Sequence, residues 1–134
     1  MKEFNRRQFI ASASVLAASP VVISQVDNNS KSSPLVHHVF FWLKKPGSET
    51  DRKLLIEGLK TLKAINEIKQ LLIGIPASTE KRDVVDNSFD VSELMYFDNT
   101  EGQSAYQVHP IHKAFVEKYS HLWEKVVVYD MQVI

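Results

Sequence analysis

Tyr106-Gln107-Val108-His109-Pro110-Ile111-His112 places one phenol and two imidazoles within seven residues, around a proline. An imidazole that is neutral near pH 7 serves as a general base, and a phenol beside it can orient or protonate an oxygen. The proline supplies the geometry. The residue before a proline is pushed out of the α region, and proline itself suits the first turn of a helix, so His109 falls at a break and a new helix begins. The break releases His109 and His112 from one continuous helical screw and turns them toward a common volume. A helix N-terminus there disfavours a charged imidazole. His38, on a strand that carries Phe40 and Trp42 on the same side, is the third candidate. The expected roles are His112, Tyr106 and His38 as catalytic groups, with His109, Phe40 and Trp42 contacting a ligand. Each has a structural alternative: His112 or His109 holding the helix start, Tyr106 as a core tyrosine bonded to backbone, His38 as a satisfied buried histidine. His37 and His121 read as ordinary surface or interface residues.

Several chemistries are absent from the chain. It has no cysteine, which removes disulfides, thiolate metal sites, iron–sulfur clusters, a cysteine nucleophile and a lipid-acylated cysteine anchor. No nucleophile-elbow motif is present for serine hydrolysis. His38, His109 and His112 would suit zinc, copper or non-haem iron if they converged. However, i, i+3 histidines are common and the motif holds no carboxylate, so neither a metal nor another cofactor is expected. Residues 1–33 hold four of the sixteen basic and two of the sixteen acidic residues, leaving the remainder at −2. That balance offers no footprint for nucleic acid.

A chain of 134 residues has room for one domain. The first 33 residues read as an address and linker. Lys2, Arg6 and Arg7 precede a short run of apolar and small residues, Phe9 to Ala18, which Pro20 interrupts. The run is too short to span a bilayer comfortably and fits a signal peptide. Asn5-Arg6-Arg7-Gln8-Phe9-Ile10 resembles a twin-arginine export motif. The expectation is an exported, periplasmic protein that touches the membrane only through this segment, if it stays uncleaved.

Residues 34–134 form the domain. Leu35 to Lys44 is the first strand, and both of its faces are apolar, so both must be covered. Pro46-Gly47 turns the chain and Ser48-x-x-Asp51 opens a helix with Leu55, Leu59, Leu62 and Ile65 on one stripe. A second strand over Gln70–Ala77, a polar loop over 78–88 and a third strand over Phe89–Phe97 follow. Thr100-x-x-Gln103 opens a helix that reaches about Val108, a second helix starts at Pro110, and Val126–Tyr129 is the last strand. The order β-α-β-β-α-β is the α+β, ferredoxin-like arrangement of a four-stranded antiparallel sheet with helices on one face. Its other face is apolar and needs a cover. A second copy closing a dimeric α/β barrel provides one, so a homodimer through the sheet faces is expected.

Tyr106, His109, Pro110, His112, Phe115 and the Val126–Asp130 run, with His38 and the Phe89–Phe97 strand, resemble the Dabb family, the stress-responsive dimeric α/β-barrel proteins, over residues 35–133. The resemblance implies the same fold and dimer. It also implies a family whose best-understood enzymes resemble a plant polyketide cyclase acting by aldol condensation. Its tyrosine and distal histidine correspond to Tyr106 and His112, and its first-strand histidine to His38. Its third-strand histidine has no equivalent among Val91, Ser92 and Glu93. Two functions follow as expectations. One is proton transfer next to a carbonyl of a small apolar or aromatic oxygenated molecule, as in a cyclase or lyase. The other is a stress-response or ligand-binding dimer without turnover.

Overall fold

The computed structural model describes residues 33–134; the segment read as an export signal lies, apart from Ser33, outside them. The described elements are β1 (Leu35–Leu43), α1 (Glu49–Thr61), β2 (Gln70–Gly74), β3 (Val91–Phe97), α2 (Thr100–Gln107), α3 (Pro110–Tyr119) and β4 (Trp123–Gln132), with short 3-10 turns after α1 and α3. The four strands form one sheet in the order β2-β3-β1-β4, with every neighbouring pair antiparallel. This is the ferredoxin-like sheet with helices on one face. No helix among the described residues is long and apolar enough to cross a membrane.

Local chemistry sets the ends of these elements. Ser48 caps α1, its hydroxyl accepting from the Asp51 N–H at 3.2 Å, and the Leu55, Leu59, Leu62 and Ile65 stripe is fully buried. Gly47 turns the chain at φ +76, a backbone region that side chains disfavour. The carboxylate of Asp90, just ahead of β3, ties this corner down. It accepts from Leu43 N–H at 2.9 Å and Gly47 N–H at 3.2 Å. At α2 the cap is Asn99, whose side chain accepts from Gly102 N–H at 2.8 Å, so the expected Thr100 cap moves one residue back. Asparagine is at least as good a cap as threonine. Gly58 brings α1 against α3, because a Cβ there would lie 2.6–2.8 Å from the Tyr119 ring.

β4 is longer than its Val126–Tyr129 centre, and β2 stops at Gly74, short of Ala77. β1 is the middle of the assembly, paired along most of its length with both β3 and β4. Register then assigns faces. Ile73, Glu93, Val39 and Val128 form one cross-strand row, and Leu71, Met95, His37 and Asp130 form the next. Both rows belong to the helix side, where Val39, Glu93, His37 and Met95 are buried. Leu72, Leu94, His38 and Tyr129 form a row on the other side. That open face also carries Phe40, whose ring lies 4.2 Å from His38, 5.0 Å from Phe89 and 6.0 Å from Tyr129 between centroids. Tyr129 is 66% exposed. Among the described residues this aromatic surface is only partly covered, with His38, Phe40 and Trp42 half-buried.

Candidate functional site

Tyr106 lies in the last turn of α2 with its ring between the sheet and α3, and it is only 2% exposed. Its ring centroid lies 4.5 Å from that of His112, 5.7 Å from that of His37 and 5.4 Å from that of Phe97. Burial, with the nearby Glu93 carboxyl adding to it, pushes the phenol far above its usual range. Tyr106 therefore stays a neutral O–H.

His112 sits in the first turn of α3, and its Nδ1 lies 3.0 Å from the backbone carbonyl of Gln107. A carbonyl only accepts, so Nδ1 carries the hydrogen and the neutral ring keeps its lone pair on Nε2. Burial lowers the His112 pKa below the usual value; the bond to Gln107 opposes this and the proximity of His37 adds to it. The ring is thus held in the basic, neutral form with a defined tautomer.

His109 does different work. It is the N-cap of α3, with extended backbone, and its Nδ1 accepts from the Ile111 N–H at 3.1 Å. The break before Pro110 is where it was expected, but the ring is used to satisfy a free N–H of the new helix. It is not among the residues lining the cavity between sheet and helices.

His38, Phe40 and Trp42 lie on the open face, opposite Tyr106 and His112. The β1 histidine on the helix side is His37, one residue before the expected candidate His38, and it is buried at 5% exposed. Side chains alternate along a strand, so adjacent histidines point to opposite sides of the sheet. The Nδ1 of His37 lies 2.5 Å from Oδ1 of Asp130 on β4. A carboxylate orients the ring in this way, leaving Nε2 on the far side. His38, Phe40 and Trp42 belong instead to the sheet surface, where burial lowers the His38 pKa. There Phe40 and Trp42 line a separate, partly open cavity of about 190 Å³ with Asp86, Phe89, Lys125, Val127 and Tyr129, and Trp42 donates from Nε1 to Ser88 Oγ at 3.0 Å. His38, His109 and His112 do not converge, and among the described residues no group of three or more metal-ligating side chains is gathered.

Between sheet and helices lies a partly open cavity of about 180 Å³, lined by His37, Val39, Phe41, Glu93, Tyr106, Gln107, His112, Phe115, Val116, Trp123, Val126 and Val128. Most of this wall is apolar, and four groups able to donate or accept protons converge on it. Glu93 is the residue that sequence reasoning passed over. It is 2% exposed, and its Oε2 has no hydrogen-bond partner among the described residues. Burial raises its pKa from the usual 4.5 to about 8. The available signal was its position: an acid in Val91-Ser92-Glu93-Leu94-Met95, on the same alternation as Val91 and Met95. The arrangement offers a neutral imidazole base, a protonated phenol, a protonated carboxylic acid and a carboxylate-oriented second histidine beside an apolar space.

The comparisons with known proteins agree with this architecture. No curated protein matches the chain. Among solved structures, a ferredoxin-like protein from Mesorhizobium loti is 23% identical at a TM-score of 0.62, covering 76% of this chain and 98% of its own. A dimeric ferredoxin-like protein from Thermobifida fusca is 20% identical at a TM-score of 0.61, covering 77% and 93%. The hydroxynitrile lyase of Passiflora edulis is 20% identical at a TM-score of 0.63, covering 77% and 95%. These likenesses concern the fold. The family model of the stress responsive A/B barrel domain (Dabb) matches residues 35–133, which is the whole of the folded domain, and the chain belongs to that family.

Proposed function

We propose that this protein is an exported homodimer that binds a small apolar or aromatic oxygenated molecule between its sheet and helices and moves a proton on it. The observation that carries the reading is the His112–Tyr106 pair, with ring centroids 4.5 Å apart beside the apolar cavity. His112 is held neutral there, with Nδ1 committed to Gln107. His112 Nε2 removes a proton from the carbon next to a carbonyl, while the Tyr106 O–H hydrogen-bonds the oxygen on which negative charge develops. Returning a proton to the same carbon completes an exchange, and placing it on a neighbouring atom completes an isomerisation. An engineered apolar cavity of about 150 Å³ holds benzene, so this one, at about 180 Å³, suits a single substituted ring. The same fold serves a hydroxynitrile lyase in Passiflora edulis, although a scaffold hosts many activities and the site must carry the assignment.

The test is deuterium incorporation into the methyl group of acetophenone in D2O, followed by proton NMR. The wild-type protein is expected to accelerate exchange, and His112→Ala to slow it by about 10²–10⁴-fold, the usual worth of a positioned base. Tyr106→Phe should slow it while acetophenone still binds. Binding without any acceleration would leave a ligand-binding, stress-response dimer with no turnover.

The dimer is supported by the partly covered aromatic face and by fold relatives described as dimeric, including those from Thermobifida fusca and Bacteroides fragilis. Export rests on the Asn5-Arg6-Arg7-Gln8-Phe9-Ile10 motif. Replacing both Arg6 and Arg7 by lysine is expected to retain the protein in the cytoplasm on fractionation. Unimpaired export of that variant would remove the twin-arginine reading.

A further inference from the structure

Among the described residues, Glu93 is the one cavity-lining side chain with a buried polar atom that lacks a partner. It sits mid-strand on β3, opposite Val39 of β1 and Ile73 of β2. It is 2% exposed, with Oε2 unpartnered among the described residues. A buried polar atom without a partner is costly, and native folds keep few of them. Glu93 lines the cavity, so a bound ligand is a partner available to its carboxyl group. We infer that Glu93 is a second donor beside Tyr106 to the ligand's carbonyl oxygen, and that the pocket thereby selects neutral carbonyl compounds over carboxylates.

This rests on the pocket reading above and specifies its ligand. The charges around Glu93 support it. From β1 comes His37, backed by Asp130 of β4; from α2 comes Tyr106; from α3 comes His112. From α1 the groups packed against the core are Leu55 and Leu59, while Arg52 is turned to Asp90 at 3.9 Å. No lysine or arginine lines the cavity. An anionic ligand would thus meet a buried acid and no countercharge. A neutral carbonyl has two lone pairs, one for the phenol and one for the acid. Burial holds the Glu93 pKa near 8, so near pH 7 the side chain is mostly a carboxylic acid, which donates one O–H. An apolar site that keeps a carboxylic acid neutral turns it into an oxyanion donor beside a tyrosine.

The experiment is calorimetric titration of the full chain with acetophenone and, separately, with benzoate, at pH 7 and pH 9.5. Glu93→Gln and Glu93→Leu are titrated alongside, each with its circular dichroism spectrum as a check of fold. Of the cavity groups with displaced pKa values, only Glu93 changes charge between these two pH values. If only the protonated acid binds, the wild-type affinity for acetophenone falls about 30-fold from pH 7 to pH 9.5. Glu93→Gln, a permanent donor, is expected to bind acetophenone equally at both, and Glu93→Leu to bind it at least about tenfold more weakly than wild type at pH 7. Benzoate should bind more weakly than acetophenone to the wild type. If folded Glu93→Gln keeps the wild-type pH dependence, or Glu93→Leu binds like wild type, the role of Glu93 is overturned while the pocket stands. Absence of acetophenone binding to all three proteins would overturn the pocket reading and this inference together.

Discussion

Glu93→Gln is expected to be more stable than the wild-type protein by about 3 kcal/mol at pH 7 and to differ little from it at pH 4. The reason is the displaced titration of one buried group. In the unfolded chain Glu93 releases its proton near 4.5, whereas burial in the folded domain delays this to about 8. Below pH 4.5 both states hold the proton and the group contributes nothing to the pH dependence. Between 4.5 and 8 the unfolded chain has lost a proton that the folded protein retains, so rising pH favours unfolding. Above 8 both states are ionised and the loss levels off. Each unit of displacement is worth about 1.4 kcal/mol, and the glutamine has no proton to lose. Thermal or urea unfolding of both proteins at pH 4, 7 and 8.5 reads the difference, which for a domain of about 100 residues is a shift on the order of 10 °C at pH 7. A gap that is the same at every pH would mean that the glutamine gains from packing alone. No gap at pH 7 would mean that Glu93 is paired or solvated in the folded protein. An acid that costs the fold this much at neutral pH is the pattern of a residue retained for what it does in the pocket.

Phe40→Glu is expected to convert the proposed homodimer to a monomer at micromolar concentration. Phe40 stands near the middle of the open sheet face, within ring contact of His38, Phe89 and Tyr129. In a twofold interface each substitution occurs twice on one shared surface. Burying an unpaired carboxylate costs several kcal/mol per ion, so the pair weakens association by more than about 10³-fold. Sedimentation velocity should then show a species of the 15.3 kDa chain, less any cleaved signal, in place of twice that mass. Leu54→Glu, on α1 at a position already 40% exposed, should leave the dimer unchanged. A Phe40→Glu protein that remains dimeric would move the interface away from the sheet face.

The fold was legible in the chain because its signals are local. The Leu55, Leu59, Leu62 and Ile65 stripe, the Ser48 cap and the proline after His109 each act within a few residues. Their sequence order leaves little choice but a β-α-β-β-α-β sheet. The Tyr106 and His112 pair was legible for the same reason, since the two lie within seven residues on either side of the break before Pro110. What the sequence left open was the choice of sheet face. Leu35, His37, Val39, Phe41 and Leu43 on one side and Val36, His38, Phe40 and Trp42 on the other are equally apolar. Alternation separates His37 from His38 without saying which meets the helices. Only tertiary packing decides that, by laying α2 and α3 over the odd-numbered side. The partners that define the site also come from far along the chain: Asp130 reaches His37 across 93 residues, and Glu93 joins Tyr106 through strand register. Distant pairings of this kind are set by sheet topology and long-range burial. So is the displaced titration of Glu93, which comes from burial and from no feature of its neighbours in sequence.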